Sequence, residues 1–188
     1  MSQTEQTAAR GRPRSADRTD AILTAAHDLL REVGYDALRV QDVAERAGAG
    51  LATIYRRWST KEELLAAAVN HGSFLDVERT GDARADLRAM FVEVACELAK
   101  TGDLLAGFMA AAHAHAVLGA ALRREAEVFR GGFAELLGEV LGPEHPLIPT
   151  LSDMGPSLLM LRAGMLGEAI DPQAFADELL ALVDAAAG

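Results

Sequence analysis

Two groups of cations stand out by their surroundings. Arg10-Gly-Arg12-Pro-Arg14 puts three arginines into five residues of a polar terminus, and Arg56-Arg57 with Lys61 lies in a stretch free of acidic residues between Leu51 and Lys61. Guanidinium and ammonium groups at this density grip phosphate oxygens, and a guanidinium also matches the paired acceptors on a guanine edge. The hydroxyls of Thr53 and Tyr55 sit just ahead of that second group. Catalytic chemistry is sparse by comparison. The chain has no glycine-rich phosphate loop, no G-x-S-x-G and no H-E-x-x-H. His113 and His115 are two residues apart, which on a helix sends them to different sides and disfavours a shared metal ion. Cys96 is the single cysteine and falls in an apolar helical run, so it reads as a buried thiol. It excludes an intrachain disulfide framework and a cysteine-rich zinc site. No enzyme activity, cofactor or metal is expected.

The elements that must position these groups are helical. Ile22, Ala26, Leu29 and Val33 recur at helical spacing, which predicts a helix over 17–33 closed by Gly34. A short helix over 40–47 turns Val43, Ala44 and Ala47 inward, and Gly48-Ala49-Gly50 breaks it. A third over 51–58 clusters Ile54, Tyr55 and Trp58, and Thr60-x-x-Glu63 opens a fourth as a capping box. Two short helices around a glycine turn, braced by a longer one, make a helix-turn-helix pattern. Further helices are predicted over 83–100, 103–113 and 116–141, then from the prolines at 143, 146 and 149 to about 169 with a kink at Gly155-Pro156. Asp171-Pro172 starts the last. No strand pattern is found. The fold expected is all-α, a small N-terminal three-helix homeodomain-like bundle plus a larger C-terminal helical domain.

The 188 residues suffice for a core without staples, and 50% apolar with 24% charged residues is globular composition. The net charge of −10 is unevenly spread. Residues 1–70 hold ten Lys/Arg against ten Asp/Glu, so residues 71–188 carry all of it. That excludes a protein that coats nucleic acid indiscriminately, but not a locally basic reading head on an acidic body. The polar N-terminus lacks the apolar run of a secretory signal, no stretch is apolar enough for a membrane span, and a cytoplasmic location is expected.

From Gly34 to Leu65 the residues resemble the DNA-binding segment of TetR-type transcriptional regulators. The elements are Gly34-Tyr35, Val40, Val43-Ala44, Ala47-Gly48, Ile54-Tyr55, Trp58, Lys61-Glu62 and Leu64. The resemblance covers roughly residues 15–70; the rest agrees in being helical and in overall length. It implies three parts: a flexible basic arm over 1–16, a DNA-binding domain over 17–62, and a ligand-binding and dimerisation domain over 63–188. It also implies that Arg10, Arg12, Arg14, Arg39, Gln41, Ala49, Gly50, Thr53, Tyr55, Arg56, Arg57 and Lys61 approach a double-stranded operator. Three positions depart from the family pattern. Arg39 stands where a Thr or Ser caps the second helix, Gly50 replaces a capping serine, and Ala52 replaces a common glycine. These bear on which operator is read.

For the body, the resemblance implies an apolar effector cavity and a homodimer on a palindromic site. Candidate lining residues are Phe91, Val94, Phe108, Met109, His113, Phe129, Phe133, Met154 and Leu158, suited to an apolar or aromatic compound. Pairing through the last two helices points to Leu158, Leu161, Met165, Phe175, Leu179 and Leu182. The expected function is a repressor released from its operator by a small ligand. Two alternatives stay open: a constitutive DNA binder governed by a protein partner, and a helical small-molecule-binding or enzymatic body with a vestigial helix-turn-helix.

Overall fold

The computed structural model describes residues 13–71 and 77–188, with the side chains of residues 13–15, 101–103, 105 and 106 left aside. Its elements are α1 (Pro13–Ala37), α2 (Val40–Arg46), α3 (Leu51–Tyr55), α4 (Lys61–Val69), α5 (Ala83–Ala114), α6 (Ala116–Leu141), α7 (Ile148–Leu159), a π-helical segment (Met160–Met165) and α8 (Pro172–Ala187). The described residues contain no strand, and no helix among them is long and apolar enough to cross a membrane.

Four helices close a small bundle. Ile22, Ala26, Val43, Ile54, Leu64 and Leu65 are fully or almost fully buried in one apolar cluster. Phe108, Ala111 and Leu118, from α5 and α6, belong to the same cluster, so the bundle and the body share a core. Helix α1 carries a kink at Gly34, whose φ of 74° and ψ of 178° lie in a region essentially confined to glycine. The residue therefore turns the chain sharply towards Tyr35 and does not form the ordinary left-handed cap expected of it. The N-cap half of the expected capping box at α4 forms, Thr60 Oγ1 accepting from Glu63 N at 3.1 Å, while the Glu63 carboxylate reaches one residue further back and accepts from Ser59 N at 2.7 Å.

Helix α5 runs unbroken for 32 residues where two helices are expected. A lone glycine such as Gly102 costs a helix only about 1 kcal/mol. Packing on both sides of it, against the bundle at Phe108 and against the body at Phe91, holds the helix through. At about 1.5 Å per residue α5 is a mast of roughly 48 Å joining the two cores. The expected kink also moves. Helix α7 continues past Pro156 to Leu159 and only then widens into π turns, with Leu166 N donating to Leu161 O at 3.0 Å.

The second core holds Leu87, Phe91, Phe133, Leu159, Phe175 and Leu179, all at most 2% exposed. Rings of Phe91 and Phe133 lie 5.0 Å apart, as do those of Phe129 and Phe133. Helix α8 presents Phe175, Leu179, Leu180 and Val183 to this core, while exposed ion pairs fasten its outer side: Arg84 to Asp184, Arg88 to Asp177 and Arg162 to Glu178.

Asp86 is the one carboxylate buried among the described residues. It accepts from the Thr80 hydroxyl at 2.6 Å, from Thr80 N at 3.0 Å and from Gly81 N at 3.3 Å, with Arg79 Nε at 3.3 Å. The Thr80 hydroxyl and amide, more than the guanidinium, hold its carboxyl below the usual range. A carboxylate so lowered stabilises the fold above its unfolded value, and the benefit disappears as pH falls through the folded value. Asp86→Asn is therefore expected to lower the thermal midpoint at neutral pH, and the gap to the parent chain should narrow as pH falls below the ordinary carboxylate range. Melting curves across that range check this.

Candidate nucleic-acid interface

Helix α3 is short, and its inward residues fix it. Ile54 is fully buried, and Leu51 and Trp58 pack partly against the bundle core. This spacing leaves Ala52, Tyr55 and Arg56 outward; Tyr55 is 47% exposed. Regular helix stops at Tyr55 rather than at Trp58, because the last turn tightens. Arg57 N and Trp58 N both donate to Ile54 O at 2.9 Å. Gly50 stands as the N-cap with extended backbone and no side-chain cap bond, and its carbonyl accepts from Thr53 N at 2.8 Å. Between α2 and α3, Ala49 N reaches Ala44 O at 2.9 Å and Gly48 N reaches Glu45 O at 3.2 Å, the paired bonds of a Schellman turn. That turn sets α3 across the end of α2.

The expected DNA-facing residues differ in exposure. Gln41, Gly50, Tyr55 and Arg56 are exposed; Ala49, Thr53 and Arg57 are half-buried. Arg39 is exposed, yet its guanidinium is held by Asp42 in a two-point pair, Nε to Oδ2 at 3.0 Å and Nη2 to Oδ1 at 2.7 Å. A phosphate contact by Arg39 has to displace that carboxylate. Arg10 and Arg12 lie outside the described residues, as does the side chain of Arg14.

Lys61, expected at phosphate, is engaged within the protein: its ammonium donates to the Tyr35 carbonyl and sits 4.2 Å from the centre of the Tyr35 ring, so a phosphate contact has to draw it away from them. Burial pushes its pKa down. The Tyr35 hydroxyl donates to Glu62 Oε1 at 2.6 Å and lies 3.4 Å from His115 Nε2. Burial, reinforced by Glu62, pushes that phenol up to about 12, and the same bond holds Glu62 low. Tyr35, Lys61, Glu62 and His115 thus tie the start of α4 to the junction of α5 and α6. From sequence, Glu62 reads only as a helix opening and His115 as half of an ill-spaced pair. The contact that unites them spans 80 residues between Tyr35 and His115, beyond any local pattern.

The body departs from expectation at several residues. Phe91, Val94, Phe129, Phe133, Met154 and Leu158 do meet in one cluster. Phe108 belongs instead to the bundle core, while Met109, 38% exposed, and His113 face solvent, since α5 rotates those positions off its packed side. The cluster is close-packed: a Cβ on Gly155 would lie 3.1 Å from Phe91 and 3.2 Å from Leu179. Two residues expected at a dimer surface are corrected as well. Phe175 and Leu179 are buried in the subunit's own core, and Leu158 is half-buried against it. Leu161, Met165 and Leu182 stay exposed at 44%, 79% and 45%, joined by Met160 and Leu166. Cys96 is half-buried. Among the described residues no cluster of His, Cys, Asp or Glu is set to hold a metal ion.

Known proteins share both the reading head and the fold. Residues 22–68 match the family described as bacterial regulatory proteins, tetR family. An uncharacterised HTH-type transcriptional regulator of Bacillus subtilis, YdeS, is 53% identical over 66 residues, which are 35% of this chain and 31% of that protein. The DNA-binding transcriptional repressor TetR of Mycobacteroides abscessus is 46% identical over 84 residues, 43% of this chain and 42% of that one. The chain thus matches less than half the length of these relatives. A solved structure assigned to the TetR family of transcriptional regulators, from Rhodococcus sp., superposes with a TM-score of 0.69 at 22% identity, covering 92% of this chain and 100% of that one. Residues 22–68 accordingly resemble the corresponding segment of tetR-family proteins, and the described helices share the fold of that solved structure.

Proposed function

We propose that the protein is a DNA-binding transcriptional regulator that acts as a homodimer on a palindromic operator and answers to a small molecule. The observation that carries this reading is the setting of α3. Ile54 pins the helix to the bundle while Tyr55 and Arg56 face outward beside Gln41 and Gly50, the presentation a reading helix needs in a major groove. On this reading residues 17–62 form the DNA-binding domain and 63–188 the body. Tyr55 and Arg56 contact the duplex directly. Lys61 positions α4 and Tyr35 instead of binding phosphate. The exposed apolar group of Leu161, Met165, Leu166 and Leu182 supports pairing of two copies.

Titration with the DNA upstream of the protein's own coding region tests the reading. The expected result is a preferred site with two-fold symmetry and an affinity that falls steeply with salt, the log–log slope being about −0.9 per phosphate neutralised. Arg56→Ala should weaken binding about tenfold or more and flatten that slope, since a charge-assisted contact is worth about 1.5–3 kcal/mol. Sequence-blind binding, unchanged in Arg56→Ala, rules the reading out.

A further inference from the structure

We propose that the groove between α4 and α6 binds a small aromatic acid, its ring against Trp58 and its anionic group on Arg124. The groove is widely open to solvent and offers about 480 Å³, a volume in the range of roughly 300–1,000 Å³ of small-molecule sites. Its floor is made of alanines, Ala66 and Ala67 from α4 and Ala120 and Ala121 from α6. Trp58 and Val117 give it apolar walls, and Val117 is 42% exposed with nothing covering it. Alanine faces on two packed helices leave a flat slot, and the indole offers a flat partner for a ring. From Glu63 to Asn70, which also line it, α4 rises by about 10 Å, the length of a two-ring aromatic acid.

Charge selects the head group. The body is strongly acidic, and six of its eight cations are paired with carboxylates: Arg79, Arg84, Arg88, Lys100, Arg130 and Arg162. Arg123 and Arg124 are the exceptions, with no carboxylate at ion-pair distance among the described residues. Arg124 lines the groove, as does Arg57. Glu63 is the opposing charge, and one of its oxygens is taken by the Ser59 amide. A cation left solvated in a protein with so many carboxylates, beside an open groove lined by both apolar and polar side chains, fits an amphipathic anion.

Occupancy would reach the reading head. Helix α4 starts at the cluster of Tyr35, Lys61 and Glu62, so a ligand that bridges α4 and α6 biases how the bundle is held on the body. That consequence rests on the regulator reading above; the binding itself does not.

Trp58 is the only tryptophan, so its indole N–H gives one resonance that reports on the groove. The probe is 2-naphthoate, added to the full-length protein without DNA, with neutral 2-naphthamide as control. The expected result is a saturable displacement of the Trp58 signal by the acid, at least about tenfold weaker for the amide and for Arg124→Gln. Arg124 is exposed, so Arg124→Gln should keep the parent melting temperature. Ala120→Phe fills the slot without changing charge and should abolish the displacement. An unmoved Trp58 signal, or equal binding by the amide or by Arg124→Gln, overturns the proposal. So does a loss of DNA affinity in Arg124→Gln without any acid present, which would make Arg124 a phosphate contact. Normal site-specific DNA binding with a silent Trp58 rejects the groove alone; acid binding without site-specific DNA binding rejects the regulator reading alone.

Discussion

A chain carrying Leu161→Glu and Met165→Glu is expected to sediment as a folded monomer and to lose site-specific DNA affinity by about a hundredfold or more. Met165 is 79% exposed, Leu166 60% and Leu161 44%, all at the π-helical end of α7, and Leu182 on α8 adds 45%. Exposed large apolar side chains grouped at one end of a helix mark a candidate interaction site. One short reading helix makes few contacts. Two joined copies make the second docking event intramolecular, which raises affinity over either alone by about 10²–10⁴. Glutamate at these positions remains hydrated in the monomer, so the fold is untouched. In an interface the same carboxylates lose water without gaining partners. Sedimentation, a DNA titration and a melting curve read the three outcomes. A double variant that remains dimeric places the interface elsewhere.

Gly34→Val is expected to destabilise the protein by about 3 kcal/mol or more, from two causes that act together. The backbone at φ 74° and ψ 178° costs a β-branched residue about 1–3 kcal/mol in strain. Space is also lacking: a Cβ there would lie 3.1 Å from Leu104 Cδ2 and 3.3 Å from Leu104 Cβ. Overpacking of this sort adds about 1–3 kcal/mol. The damage should extend to function, because Gly34 delivers Tyr35 to Lys61 and Glu62. Urea unfolding gives the stability loss. An unchanged midpoint would mean that α1 straightens without penalty and that the kink is incidental.

The N-terminal bundle was legible because its signals are local. Ile22, Ala26 and Leu29 recur at helical period in α1, and Thr60 with Glu63 forms its cap within a single turn. Element boundaries in the body were less so. Helices over 83–100 and 103–113 are expected as two, yet long-range packing of Phe91 and Phe108 carries α5 through as one. The sequence also shows stripes without saying what covers them. Phe175, Leu179 and Leu182 share a helix side in pattern, but two of them fill the subunit's core and the third looks out. The engagement of Lys61 is hidden for a related reason: a cation at that position suggests phosphate, and only the fold brings the Tyr35 carbonyl and ring to it. Arg124 is invisible to a charge census, since a total does not reveal which cations have partners.

The fastening of α8 separates two tasks. Phe175, Leu179 and Val183 supply the adhesion, while Arg84, Arg88 and Arg162 grip Asp184, Asp177 and Glu178 from outside. Exposed ion pairs add little to stability, about 0–1 kcal/mol each. Their geometry nonetheless sets the rotation at which Leu182 meets the outside world. If two copies pair through Leu182 as proposed above, charge changes on this rim would alter which surfaces fit together while leaving the interior that folds each copy unaltered.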